Sequence, residues 1–241
     1  MSWPHFAIPH VSFNFYAFFL ASAVFAGEIY LQRRLKSVPE FGRIFFAIIS
    51  MLFTTGSILV AVKFLPSDLV SSSLCGGIGF MASALLFDKF YNNPKLYKFL
   101  DITKPSKTPK LFFTKNCIIV MPLVYAIAKL GCTYAGCCHG FTYTGPFSLI
   151  YNNPEAQGEF FPVQPLETLV FLVIFFFAQK VQKPIPILTI CVIAKFFLDF
   201  LRYTHADSLI SPNQIACLAA LALLAINYIY QKRILLHKQE N

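Results

Sequence analysis

The sequence predicts an all-α polytopic membrane protein of about seven transmembrane helices, and three observations predict it. Of 241 residues, 56% are hydrophobic and only 13% are charged. Soluble domains carry nearer a quarter charged residues, so a water-facing surface would be badly under-supplied here. The apolar residues fall in long runs, with the prolines at or outside most of their ends. The basic residues alternate between successive loops, as they do when a chain is threaded through a bilayer.

Seven runs are marked, roughly 11–31, 41–62, 69–87, 116–130, 164–179, 185–202 and 212–230. Pro39, Pro66, Pro94, Pro105, Pro109, Pro154, Pro162, Pro184 and Pro212 lie outside them or at their edges. Sixteen of the twenty Lys and Arg residues sit in or beside the first, third and fifth connections or in the C-terminal tail, Arg43 falling just inside the second run. That bias places the N-terminus outside and the C-terminus in the cytoplasm. No Lys or Arg precedes the first run, whereas a cluster follows it. A secretory signal peptide has the opposite polarity, so the first run is read as a span. Residues 1–241 form a single integral membrane domain without an internal repeat. The formal charge of +9 does not indicate nucleic acid, because the basic residues form no stripe with interleaved aromatics. The basic loop over about 88–115 is a topology determinant lying against anionic lipid headgroups.

The longest outer-side connection runs over about 131–163 and contains no Lys or Arg. It is dense in Gly, Cys, Tyr and Asn, and loops of this length are uncommon unless functional or disordered. Cys132, Cys137, Cys138 and His139 give a C-x4-C-C-H spacing that matches no standard zinc pattern, so the spacing assigns neither metal nor cofactor. Packing thiols or an outer-face disulfide from Cys132 to one of the pair are the alternatives.

Ionisable groups inside spans are expensive and therefore candidates for function. Lys195, Asp199 and Arg202 fall at i, i+4 and i+7 on the sixth run, one helix face. Lys129 closes the fourth run, and Glu167 lies one turn into the fifth. Cations and carboxylates from separate helices at one membrane depth predict a site for an anionic substrate. The third run opens with Cys75-Gly76-Gly77, where glycines permit close backbone approach.

The order of these motifs resembles the phosphatidylglycerol–prolipoprotein diacylglyceryl transferase family over most of the chain. The stretch Lys129-Leu130-Gly131-Cys132-Thr133-Tyr134-Ala135-Gly136-Cys137-Cys138-His139-Gly140 is similar to the family signature, which begins with Arg, has Asn three positions on and closes with Gly. Pro162-Val163-Gln164-Pro165-Leu166-Glu167 resembles its Pro-x-Gln-Leu-Tyr-Glu. The run Lys195 to Arg202 resembles its Arg-Phe-x-x-Glu-Phe-x-Arg, and Tyr16-Ala17 its Tyr-Gly. At the matching positions the family's histidine is Cys75, its asparagine Cys132, an acidic residue Cys137, and two arginines Lys129 and Lys195.

The resemblance implies an enzyme of the bacterial inner (plasma) membrane. It would move diacylglyceryl from phosphatidylglycerol to the lipobox cysteine of preprolipoproteins, with membrane lipids as its surroundings. His139, Glu167 and Cys75 would be catalytic. Tyr16, Lys129, Cys132, Gly140, Gln164, Lys195, Asp199 and Arg202 would bind substrate. A diverged relative serving another acceptor is the alternative. A transporter or retinal-type receptor fits less well, since no three-span repeat is found and the last run lacks Lys.

Overall fold

A computed structural model describes residues 4–8, 14–64, 72–91, 93, 109–153, 156–203 and 209–239. Seven helices account for most of them: α1 Phe15–Arg34, α2 Glu40–Phe64, α3 Ser72–Tyr91, α4 Phe112–Ala135, α5 Val163–Val181, α6 Pro184–Asp199 and α7 Pro212–Gln239. Each coincides with one apolar run of the sequence. Five of them, α1, α2, α4, α5 and α7, are long and apolar enough to cross a membrane. Their outward faces are greasy: Phe25, Leu52, Leu169, Phe176 and Leu223 are all more than half exposed. A helix that presents such side chains outward is solvated by hydrocarbon rather than water. The start of the third run and the central part of the basic loop, including Lys95, Lys98, Lys104 and Lys107, lie outside the described residues.

The central helix is α4, buried at Phe113, Cys117, Val120, Ala126 and Gly131 along its length. Small residues let neighbours approach it. A Cβ on Gly27 of α1 would stand 2.5 Å from Val124, and one on Gly131 would meet the Tyr16 backbone at 3.2 Å. Such crossings replace side-chain burial with backbone proximity, which suits helices packed in lipid. α2 and α3 use the same device, with Gly79 lying against the Phe53 carbonyl and Ser57. At one end of the bundle Phe46, Phe87, Tyr91 and Phe113 interlock with ring centroids 4.6–5.2 Å apart. Asp88 of α3 caps α4 there, accepting from the Phe113 and Thr114 amides at 3.0 and 2.9 Å. The cap comes from a neighbouring helix because the preceding residue, Leu111, is left-handed and supplies no side-chain bond. At the same end Arg34 ties α1 to Asn116 of α4 and to Gln179 and Gln182 about α5.

The fold departs from a pure helix bundle at the other end. A three-stranded sheet, β1 Phe6–Ala7, β2 Leu149–Asn153 and β3 Ala156–Phe160, lies there in the order β1-β2-β3. β2 and β3 form a hairpin with Leu149 opposite Phe160, and β1 joins β2 in parallel. Leu149, Tyr151, Ala156 and Phe160 give it a small core of its own. The loop predicted over about 131–163 is therefore shorter than expected and structured. Residues 131–135 continue α4, which ends where Gly136 turns left-handed at φ 74°. Glycine reaches that conformation without a Cβ clash, the usual way to stop a helix.

Candidate functional site

Glu167 is the centre of a buried ion cluster at the sheet end of the bundle. It lies in the second turn of α5, which starts directly after Pro162. Three cations from different segments converge on its carboxylate. Lys129 of α4 approaches Oε2 at 2.9 Å, Lys195 of α6 approaches Oε1 at 2.9 Å, and Nη2 of Arg202 donates to both oxygens at 2.8 and 3.0 Å. Asp199 adds a second carboxylate, 3.5 Å from Lys195 and 3.4 Å from Nε of Arg202. Glu167 and Asp199 are wholly buried, and Lys129 and Arg202 nearly so. Three cations against two carboxylates leave one positive charge. In a low-dielectric setting such a surplus attracts anionic groups, a neighbouring thiolate or a bound anion.

Arg202 reaches the cluster by a route that helical spacing does not give. α6 ends at Asp199, and the chain tightens so that the Leu201 and Arg202 amides donate to Leu198 and Asp199. Arg202 then pairs as an isolated antiparallel bridge with Gly140. The Phe141 amide donates to Leu201 and the Tyr203 amide to His139, so residues 139–143 are stitched between the end of α6 and β3. Gly140 has no room for a side chain, since a Cβ would stand 2.5 Å from the Phe161 carbonyl and 3.1 Å from that of Leu201. Its part is to let Arg202 come close.

Gln164 is fully buried and clamps the loop above α4, with Nε2 donating to the Cys137 carbonyl at 3.1 Å and to the Tyr151 hydroxyl at 3.3 Å. Burial raises the Tyr151 phenol well above its ordinary value, so it stays protonated. His139 packs its ring on Phe160 and Tyr203, 4.2 and 5.2 Å between centroids, and its Nδ1 lies 3.0 Å from the Gly140 carbonyl. A carbonyl can only accept, so Nδ1 carries a hydrogen, and Nε2 is the nitrogen left to accept a proton when the ring is neutral.

Cys132, Cys137 and Cys138 come together beside this cluster as free thiols, all three sulfurs lying within 4.8 Å of one another. The disulfide considered from sequence is not formed. Cys132 faces the same way as Lys129, one helical turn earlier, while Gly136 and Cys138 (φ 56°) fold the next residues back over the end of α4. Hydrogen bonds with Cys132 and Cys137 hold the Cys138 thiol well below its ordinary range, and the charges of Lys129 and Arg202 act in the same direction. Hydrogen bonds with Cys132 and Cys138 push Cys137 up.

Two predicted residues contribute differently. Tyr16 lies on α1 where its backbone meets Gly131, which sets the α1–α4 crossing two residues beyond Lys129. Cys75 sits near the start of α3, and its carbonyl accepts a 2.8 Å bond from Ser57 of α2. Among the described residues no hydrogen bond or ion pair joins Cys75 to the Glu167 cluster.

Two members of the site escape the sequence reading. Tyr125 lies beneath Lys129 and Lys195, 5.3 and 5.7 Å from ring centroid to ammonium, and its hydroxyl is 3.4 Å from Glu167. One α-helical turn before Lys129, it was legible only as an aromatic in an apolar run. Ser211 donates to Asp199 while its Oγ accepts from the Gln214 amide, and Gln214 Oε1 accepts from the Ser211 amide at 3.1 Å. Ser211-Pro212-Asn213-Gln214 is a capping box with proline at the first helical position, a signal present in the sequence. In comparisons with known proteins the chain matches no family model, no curated protein and no solved structure, so the family resemblance rests on the motifs themselves.

Proposed function

We propose that this protein is a phospholipid-dependent transferase of the bacterial plasma membrane, with seven spans and its N-terminus outside. It transfers diacylglyceryl from phosphatidylglycerol to the lipobox cysteine thiol of preprolipoproteins. The observation that carries this reading is the convergence of three cations from separate segments, Lys129, Lys195 and Arg202, on Glu167. It lies at the end of the bundle away from the Arg34 network, and so away from the basic connections that mark the cytoplasmic side.

In this reading Lys129, Lys195 and Arg202 hold the lipid phosphate and stabilise the charge it gains on leaving. Glu167 and Asp199 fix the cations in place before substrate arrives. The acceptor thiol gives its proton to a base and attacks the glyceryl carbon. A carbon–sulfur bond forms, the carbon–oxygen bond to phosphate breaks, and glycerol phosphate departs with the electron pair. His139, next to Gly140 and so to the segment bridged to Arg202, serves as that base through Nε2.

The test is transfer of labelled diacylglyceryl from phosphatidylglycerol to a lipobox peptide by the full-length protein in proteoliposomes. The wild-type chain transfers label. Arg202→Lys, which loses the planar fork, reduces it by about 100-fold or more. A wild-type protein that binds phosphatidylglycerol but transfers nothing overturns the acceptor. That no hydrogen bond or ion pair joins Cys75 to the cluster among the described residues favours a second reading, in which the same phospholipid scaffold serves a different acceptor.

A further inference from the structure

We infer that Cys132, Cys137 and Cys138 form a three-thiolate site for a soft divalent d10 cation of the zinc type. Its open fourth position takes the acceptor thiol. The first observation is geometric. Three sulfurs within 4.8 Å of one another fit ligands of one ion, because sulfurs bound at about 2.3 Å in tetrahedral directions stand about 3.8 Å apart. The closeness comes from chain reversal at two left-handed residues, Gly136 and Cys138, and not from helical spacing. Cys138 holds a conformation that costs a side-chain-bearing residue about 1–2 kcal/mol. Gln164 fastens the carbonyl of the intervening Cys137. The set is thus held in place from α4 and α5 together.

The second observation is charge. Three thiolates around a divalent cation carry one net negative charge. The adjoining cluster of Lys129, Lys195, Arg202, Glu167 and Asp199 carries one net positive charge. The opposite charges attract, which lowers the cost of burying either set. A hard cation would gain little from sulfur, whereas soft thiolate ligands select zinc-type ions. Neither His139, which packs on Phe160 and Tyr203, nor either carboxylate belongs to the sulfur set. With three protein ligands the ion keeps one position open, the arrangement of catalytic rather than structural zinc.

That open position resolves a difficulty of the transferase, and this part rests on the function proposed above. A thiol must become thiolate to attack, and a coordinating thiol is deprotonated outright. The acceptor cysteine would bind the ion through sulfur, release its proton to His139 or to water, and attack the glyceryl carbon. The carbon–oxygen bond breaks, glycerol phosphate leaves, and the ion stays unchanged in oxidation state.

The experiment uses the full-length protein in detergent micelles, reduced and freed of metal. Cadmium(II) serves as the optical probe through its thiolate charge-transfer band, and zinc(II) as its competitor. One equivalent of cadmium is expected to raise the band, zinc to abolish it, and a chelator to reverse it. Cys132→Ser, Cys137→Ser and Cys138→Ser each weaken binding at least about tenfold, while Cys191→Ser, remote in the α5–α6 core, leaves it unchanged. Absence of a stoichiometric band from the wild-type protein overturns the site, whatever the variants do. So does a Cys132–Cys137 disulfide recovered from membranes whose thiols were blocked before lysis. A lipobox peptide then raises the cadmium band further by adding a fourth thiolate, and the same peptide with its cysteine replaced by serine does not. A metal-bound protein indifferent to the peptide overturns the acceptor role alone. Label transfer by a protein that binds no metal sinks the ion and leaves the transferase standing.

Discussion

One nitrogen of Arg202 holds both oxygens of Glu167, at 2.8 and 3.0 Å, across the gap between the end of α6 and the second turn of α5. The pair is buried, and two further cations share the same carboxylate. Removing one partner from a buried ion pair leaves the others uncompensated, at about 3–5 kcal/mol. Glu167→Gln is therefore expected to lower the stability of the protein by several kcal/mol and to abolish transfer. Thermal unfolding in micelles measures the first effect. A melting temperature unchanged from wild type would show that the cations do not depend on Glu167.

Ser211 joins two tasks in one hydroxyl, donating to Asp199 and capping α7. Ser211→Ala is expected to cost about 1 kcal/mol through loss of the cap. Ser211→Thr, which keeps the hydroxyl, restores most of it. If the alanine variant unfolds at the wild-type temperature, the capping box contributes nothing.

Gly140 admits no methyl group between the Phe161 and Leu201 carbonyls. Gly140→Ala should force the 139–143 segment away from Arg202 and cost about 1–3 kcal/mol. Faster proteolytic cleavage near residue 140 than in wild type would report that separation, and equal protection would contradict it.

The three neighbouring thiols differ in acidity. Hydrogen bonds and the nearby cations lower Cys138, so it stays thiolate as pH falls below the ordinary thiol range. Cys137 is pushed up and stays protonated as pH rises through that range. In metal-free protein, iodoacetamide at mildly acidic pH should label Cys138 first and Cys137 last, which peptide mass spectrometry resolves. Preferential labelling of Cys137 would reverse the assignment.

Much of the helix order was legible in the sequence. Hydropathy is a property of each run by itself, so all seven runs became helices with only their ends shifted. Lys129, Glu167, Lys195, Asp199 and Arg202 were legible for a similar reason: a charge in an apolar run stands out wherever its partner lies. Pairing across helices was not. The bond from Ser211 to Asp199 and the position of Tyr125 beneath two lysines depend on how α4, α6 and α7 meet, which no local pattern records. The hairpin was missed because Ala156–Phe160 lacks an alternating apolar pattern. Arg202 was read as helical because its spacing from Lys195 and Asp199 fits a helix, although a turn and a bridge to Gly140 bring it in.

The short strand Phe6–Ala7 finds its partner only at Leu149–Ile150, and His5 bonds to Ser148 across 143 positions of chain. During synthesis β1 must therefore wait, unpaired, until β2 has left the ribosome. The sheet closes late, after several helices have been inserted, so a nascent chain stalled before β2 would lack this seam altogether.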